Sequence, residues 1–352
     1  MQNMNVREHE GVTMSTSMVR RKVIAVASIL TMGALTLSGC DASNSGNGES
    51  GSSDTGSDNV NTKWADCTPG TGSKDTTSMK TDDDNKITIG AFNGWDESFA
   101  TAGIIKNVLE KDGYKVKIKG FDAGPGYAGL VAGDIDLITD GWLPLTHADY
   151  VKRYGDKMEN LGCWYDNAKL TIAVNKDSKA RTIGDLKTMG DKYDNTLYGI
   201  EAGAGLTKAT KDSAIPKYGL KNINFKISST PAMLAQLKKS TDAGQDIAVT
   251  LWRPHWAYGA FPVRDLKDPK KAMGEAEVLY SFSRPGFAKD HPKAAQLVRN
   301  MVFDDNTLSS LENTMFSAEN YAGKNQEKAV AEWTSHNKAW VDKLKSGELA
   351  ES

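Results

Sequence analysis

From Lys86 onward the chain switches repeatedly between two hydrophobic rhythms, and the switches predict its elements. ITIGAF is an apolar run of strand length, and Ser98 to Lys111 carries Phe99, Ile104, Ile105, Val108 and Leu109 at helical spacing. YKVKIKGF alternates apolar and polar residues as a half-buried strand does, Tyr127 to Ala132 reads as a short helix, and IDLIT as the next strand. That order implies a largely parallel sheet. A helix from Thr146 to about Tyr154 follows, and KLTIAVN from Lys169 reads as a strand leaving this first set. A second set opens at Ile183: the strand YGIEA, a helix after Gly205, the strand NFKISS, a helix started by Thr230 as cap with Pro231 behind it, and the strand DIAVTLW. VLYSFSRPGF from Val278 reads as the return crossing, and Asp290 to the end as helices covering the first set. The expected fold class is α/β with two lobes, residues 86–174 and 281–352 in the first and 175–280 in the second, and a cleft between them.

An indole follows three of these strands. DLITDGWLPLTH, Asp136 to His147, starts as a strand and should break at Gly141, Trp142 and Pro144; KITIGAFNGW ends on Trp95 and QDIAVTLW on Trp252. In open α/β sheets ligands bind beyond the carboxyl ends of strands, so a single strand-end indole is either a lid on the core or a wall of a cleft. Three suggest one aromatic box. Such a box suits a quaternary ammonium group, which has no N–H to donate and is held by ring quadrupoles. Trp333 and Trp340 fall on one face of a predicted last helix with Val330, Asn337 and Leu344 and read as core; Trp164 and Trp256 read as packing.

Composition changes the picture upstream of Lys86. The 352 residues are 39% hydrophobic and 25% charged, ordinary for a globular chain. Residues 1–39 read as a leader: Arg20, Arg21 and Lys22 precede the apolar run Val23 to Leu37, which ends in Leu37-Ser38-Gly39-Cys40 and resembles a bacterial lipoprotein signal lipidated at Cys40. The apolar run, about 15 residues, is short of the roughly 20 a spanning helix requires. Basic residues normally lie near the initiator, which points to Met14 or Met18 as the start. Residues 40–85 are rich in Ser, Gly, Asn, Asp and Thr and read as a flexible tether with a reach of about 35–40 Å. Removing residues 1–39 takes away four basic and two acidic side chains, moving the formal charge from −2 to −4 and arguing against nucleic-acid partners. Cys67 and Cys163 would then lie outside the cytoplasm, either paired as a disulfide or as separate thiols.

Other motifs carry less. Gly124-Pro125-Gly126-Tyr127-Ala128-Gly129 matches the dinucleotide spacing, but the helix predicted after it is too short for that unit, so it reads as a tight turn rather than a cofactor site. Gly203-Ala204-Gly205-Leu206, between a strand and a helix, is either a plain turn or a place where free N–H groups meet a carboxylate or phosphate. His147, five residues past Trp142, is a candidate donor to the same anion. The five histidines show no metal-ligand spacing, and no nucleophile is paired with a base, so no cofactor, metal or enzymatic activity is expected.

From Lys86 to about Phe303 the segments GWDES, DAGPGYAGLVAGDID, DGWLPLTH, YGIEAGAGL, VTLWRPHWAYG, DPKKAMGEAE and SRPGFAKDHP together closely resemble the glycine-betaine-binding proteins of ABC importers. The resemblance implies the type II periplasmic-binding-protein fold, a monomeric receptor outside the cytoplasm, and delivery of its ligand to a membrane permease. It places the trimethylammonium cage on Trp95, Trp142 and Trp252, and the carboxylate ligands on His147 and the backbone N–H groups of Gly205 and Leu206. Glu97, two residues after Trp95, stands where choline-binding relatives carry an acid that meets the ligand hydroxyl, so betaine, choline and carnitine all stay open. Arg253, beside Trp252, is expected to point to solvent, to the ligand carboxylate or to the importer. A sensor domain passing ligand state to a partner is a further alternative.

Overall fold

A computed structural model describes residues 66–351. Its first five elements are β1 (Lys86–Phe92), α1 (Asp96–Lys111), β2 (Lys115–Phe121), α2 (Ala123–Ala132) and β3 (Leu137–Leu143). β1 pairs in parallel with β2 and with β3, as the alternating order requires. All seven residues of β3 are buried, the pattern of a central strand covered on both faces. β3 extends through Trp142 to Leu143 and does not break at Gly141, because an antiparallel partner, β9 (Glu277–Ser283), supports its second half. The pairing slips between Ile138 and Gly141, and the two residues in the slip, Thr139 and Asp140, are both fully buried. A bulge re-aims side chains in this way.

Helix α3 (Ala148–Tyr154) leads to β4 (Glu159–Asn175), a strand of 17 residues that crosses the molecule. Its first part pairs with β9, from Glu159↔Ser283 to Ala168↔Glu277, and its last part with β7 (Ala248–Arg253), from Lys169↔Arg253 to Val174↔Ala248. Sequence periodicity finds only the second part. Three register shifts between Asn160 and Ala168 interrupt the alternation in the first part, which is why ENLGCWYDNA does not read as a strand.

The second sheet adds β5 (Thr196–Tyr198) and β6 (Asn224–Lys226), parallel to each other, with β5 beside β7. Between them run α4 (Gly205–Ala209), a π-helical turn and one further α turn, then α5 (Thr230–Asp242) after β6. The cap of α5 is Ser229, whose hydroxyl accepts the Ala232 N–H, one residue earlier than expected. β8 (Val263–Asp265) lies against the far end of β4. β9 pairs only within the first sheet, so the return crossing precedes Val278.

Four helices finish the first lobe: α6 (Pro292–Arg299), α7 (Asp305–Phe316), α8 (Gln326–His336) and α9 (Lys338–Ser346), with α6, α7 and α8 packed on α1. The single last helix expected from periodicity is two, divided at Asn337, and Trp333 and Trp340 meet edge to face across the break at 5.5 Å.

The tether reading extends too far. Residues 66–85 are fastened to the body: Thr76 donates its N–H and hydroxyl to the Lys345 carbonyl, and Lys74 and Asn300 exchange two hydrogen bonds. Asp82, buried, accepts the N–H groups of Lys293 and Ala294 and the Tyr114 hydroxyl. It thereby caps α6 from outside, where the adjacent residue His291 makes no side-chain cap. Cys67 is bonded to Cys163 on β4. A polar, aliphatic-poor segment holds here by hydrogen bonds and one covalent link, neither of which composition reveals. Cys40, the leader and the rest of the tether lie outside the described residues. Among the described residues no helix is long and apolar enough to cross a membrane.

Candidate functional site

Trp95, Trp142 and Trp252 line one cavity together with Glu97, Thr146, Leu170, Ile200, Ala204, Gly205 and Leu206. Trp95 is delivered by the turn between β1 and α1, Trp142 by β3, and Trp252 by β7 in register with Leu170 of β4. The two lobes contribute jointly, and they stand close enough that the hollow is about 20 Å3, near what one water requires. Each cage indole is buried. The peptide bonds Leu143-Pro144 and Arg253-Pro254, just after two of them, are cis.

The seam between the lobes depends on two glycines. A Cβ at Gly205 would stand 2.5 Å from both the carbonyl oxygen and Cγ2 of Thr146, so only glycine lets α4 approach the loop after β3. Gly94, at φ +83°, would bring a Cβ to 2.6 Å from Glu201. Glu201 in turn accepts the N–H and hydroxyl of Thr230, fixing the start of α5. Lys208 and Asp149 add a bridge across the seam, both largely exposed and so of small energetic weight.

The 144–147 loop is held by Glu277, which sequence reasoning missed. Its carboxyl accepts the N–H groups of Leu145 and Thr146, at 2.9 and 2.8 Å, and the Thr146 hydroxyl. Burial pushes its pKa up in spite of those donors. Only the tertiary fold brings β9 against this loop.

His147 does not line the cavity. Its ring lies flat against Trp95, centroids 5.4 Å apart, one layer behind the wall. Nδ1 accepts the Trp142 backbone N–H at 3.0 Å, which puts the ring proton on Nε2. Nε2 is buried and has no partner within the protein, and burial pushes the histidine pKa down to about 3. It is a neutral donor in want of an acceptor. Gly205 and Leu206 open α4, where the first N–H groups of a helix have no intrahelical acceptor.

Two of the three cage indoles present their N–H edges to acids, while Trp95 Nε1 is buried with no partner in the protein. Trp142 Nε1 donates to Asp140 Oδ1 at 2.8 Å, and Trp252 Nε1 donates across the lobes to Glu97 Oε2 at 3.1 Å. Burial first, then the charges of Asp140 and Glu312, hold Glu97 well above the carboxylate range. Trp256, expected to be packing, does more: its indole donates to Asp96 and its backbone N–H to Glu312. Arg253 faces away from the box, bonded to Asp265 at 2.6 Å and stacked over Tyr258 at 3.6 Å. Trp164 is core, donating to the Thr139 carbonyl. The Gly124-Pro125-Gly126 segment sits inside the first turns of α2, which begins at Ala123, so it is neither a phosphate loop nor the tight turn expected before a helix.

Residues 85–336 match the family described as the substrate-binding domain of ABC-type glycine betaine transport systems. Over 163 residues the chain is 34% identical to the glycine betaine/carnitine transport binding protein GbuC of Listeria monocytogenes serotype 1/2a (strain 10403S), a match covering 46% of this chain and 52% of that protein. It thus spans about half the length of that curated relative. The fold is similar to lactococcal OpuAC in its closed conformation with glycine betaine, at 27% identity and TM-score 0.67, covering 74% of this chain and 99% of that one. It is also similar to the glycine/betaine/L-proline-binding protein ProX of Borrelia burgdorferi, at 28% identity and TM-score 0.66, with coverages of 74% and 99%.

Proposed function

Because the chain belongs to the family of substrate-binding domains of ABC-type glycine betaine transport systems, which are extracytoplasmic solute receptors and not enzymes, we propose that it captures glycine betaine and hands it to a membrane permease. The observation that carries this reading is the convergence of Trp95, Trp142 and Trp252, from both lobes, on one cavity bordered by Gly205 and Leu206. The trimethylammonium group sits among the three rings, whose hollow of about 20 Å3 has to widen to admit it. The carboxylate is taken by the N–H groups of Gly205 and Leu206, which border the cavity; the unpartnered Nε2–H of His147, one layer behind Trp95, joins them where that ring moves aside. A ligand that touches both lobes favours the closed arrangement by its differential affinity, which is what a permease reads.

The magnitudes are adequate. Desolvated cation–π contacts contribute up to about 2 kcal/mol each and hydrogen bonds to a charged group about 1.5–3 each. A micromolar dissociation constant requires about −8 kcal/mol after the entropy of association is subtracted. Choline shares the cation but lacks the carboxylate. Glu97 would have to meet its hydroxyl, and one Glu97 oxygen already accepts from Trp252. Calorimetric titration of a chain beginning at Thr62 separates the ligands. Betaine binding at micromolar or tighter, with choline at least tenfold weaker, is the expected result; the reverse order moves the ligand to choline, and no heat with either removes the cage assignment.

We further propose that the receptor acts as a monomer anchored by lipid on Cys40. Metabolic labelling with a radioactive fatty acid should mark the wild-type chain and leave Cys40→Ser unlabelled; label on both would exclude Cys40.

A further inference from the structure

Behind the cage lies a group of acids that the reading above leaves unused. Asp140 and Glu312 are fully buried, Glu97 nearly so, and Asp96 has 15% of its side chain exposed. Asp140 bonds the edge of Trp142, Glu97 the edge of Trp252, and Asp96 and Glu312 hold Trp256. No lysine or arginine acts on any of the four. The other titratable groups facing them are two buried neutral histidines, His255 with its Nε2 4.0 Å from Asp96 and His147 behind Trp95, and Tyr127, which feels the charge of Asp140.

Acids gathered in low dielectric without a cation cannot all ionise. Burial lifts Asp96 and Asp140 to about 7 and Glu312 well above its usual range. Asp140 is the acid of the four that combines two features: Oδ1 is fixed by a cage indole, and Oδ2 is buried with no partner. Glu312, whose Oε1 is also unpartnered, accepts from the Trp256 backbone N–H and not from a cage indole. A quaternary ammonium in the cage would stand against that same indole, which lines the cavity, and supply the positive charge this group of acids lacks.

We propose that Asp140 is the counter-charge of the caged cation: the ligand-free protein holds it as the neutral acid and the liganded protein as the carboxylate, its proton passing to solvent on binding. The inference rests on the quaternary ammonium reading of the cage. Asp140 does not touch the ligand; it acts through Trp142, whose ring gains electron density when its N–H donates to a carboxylate. Ionised Asp140 pushes neighbouring Glu97 further up, so the two carboxyls do not ionise together. The linkage has a definite sign. The liganded state binds fewer protons, so affinity rises with pH through about 7 and levels off above it, by at most tenfold per pH unit for one proton.

The test is calorimetry of the unlipidated chain with glycine betaine between pH 6 and 8.5, in pairs of buffers with different ionisation enthalpies. The ligand has no group that titrates in this range. We expect release of up to one proton at pH 6 that falls as pH rises and is almost gone at pH 8.5, with affinity rising across that range by less than tenfold per pH unit. Asp140→Asn, which keeps an oxygen for the Trp142 N–H, should bind with no proton release and no pH dependence, and more weakly at pH 8. Tight binding without proton release in the wild type overturns the proposal and leaves the cage intact. Proton uptake would assign the linkage to a histidine, and release persisting in Asp140→Asn would assign it to another acid; either result overturns it. If betaine gives no heat at any pH, the cage reading itself fails. The wild-type measurement decides even if the variant does not fold.

Discussion

Gly205→Ala isolates lobe closure from folding. The added methyl would lie 2.5 Å from the Thr146 carbonyl oxygen and 2.5 Å from its Cγ2, against an ordinary contact of about 3.5 Å, so the seam must open by about 1 Å. At that displacement the N–H groups of Gly205 and Leu206 leave hydrogen-bonding range of a carboxylate, where each contributes about 1.5–3 kcal/mol. Loss of one such bond weakens binding by about tenfold to a hundredfold. Folding is read separately. Gly205 is not in a left-handed conformation, so alanine strains no backbone dihedral there, and the stability of the unliganded protein reports only the cost of parting the seam, set against the restriction of the unfolded chain. Gly203→Ala is the control, since its Cβ meets nothing within 4 Å. Calorimetry with glycine betaine, paired with thermal unfolding of the ligand-free proteins, reads both effects. Affinity of Gly205→Ala within threefold of wild type would refute the argument that this contact belongs to the liganded state.

Four further outcomes are expected. Trp142→Ala should lose cation–π attraction of about 2 kcal/mol and weaken betaine binding by at least about thirtyfold in the same titration, while leaving secondary structure by circular dichroism unchanged. Reduction of Cys67–Cys163, which closes a loop of 96 residues, should lower stability by about 2–5 kcal/mol in denaturant titrations, with betaine affinity within threefold because the bond lies outside the cage. Asp82→Ala strands two backbone N–H groups and a tyrosine hydroxyl and should destabilise by about 1–3 kcal/mol, read as a lower denaturant midpoint. Between pH 7 and 8 the ligand-free protein should become less stable as pH rises: Asp96 and Asp140, lifted from 3.8 to about 7, keep protons in the folded state that the unfolded chain has already released. They outweigh His147 and His255, which are depressed to about 3 in the folded state and only a minor fraction protonated in the unfolded chain above its ordinary 6.5. A melting temperature that is constant or rises across that window would show that the buried acids are already ionised.

The sequence by itself determined the elements and the three indoles. Strand and helix periods are local, so β1, α1, β2, β7 and the two α/β sets are legible from Lys86 onward, and Trp95, Trp142 and Trp252 stand out because each lies at or just past the end of a strand whose direction the pattern fixes. Gly205 was legible as a special turn, though not the reason for it, since Thr146 is 59 residues away. The tertiary structure alone decided what depends on contacts between distant segments. β9 keeps β3 extended through Trp142, the bulge turns Asp140 inward, Glu277 ties the 144–147 loop, and residues 66–85 are bound down by Asp82, Thr76 and Cys67. Charged residues such as Asp140, Glu97 and Glu312 look like solvent-facing positions in the chain because local hydropathy scores a carboxylate by its own polarity. Burial is decided by what packs against it, here the cage indole edges for Asp140 and Glu97 and the Trp256 backbone for Glu312.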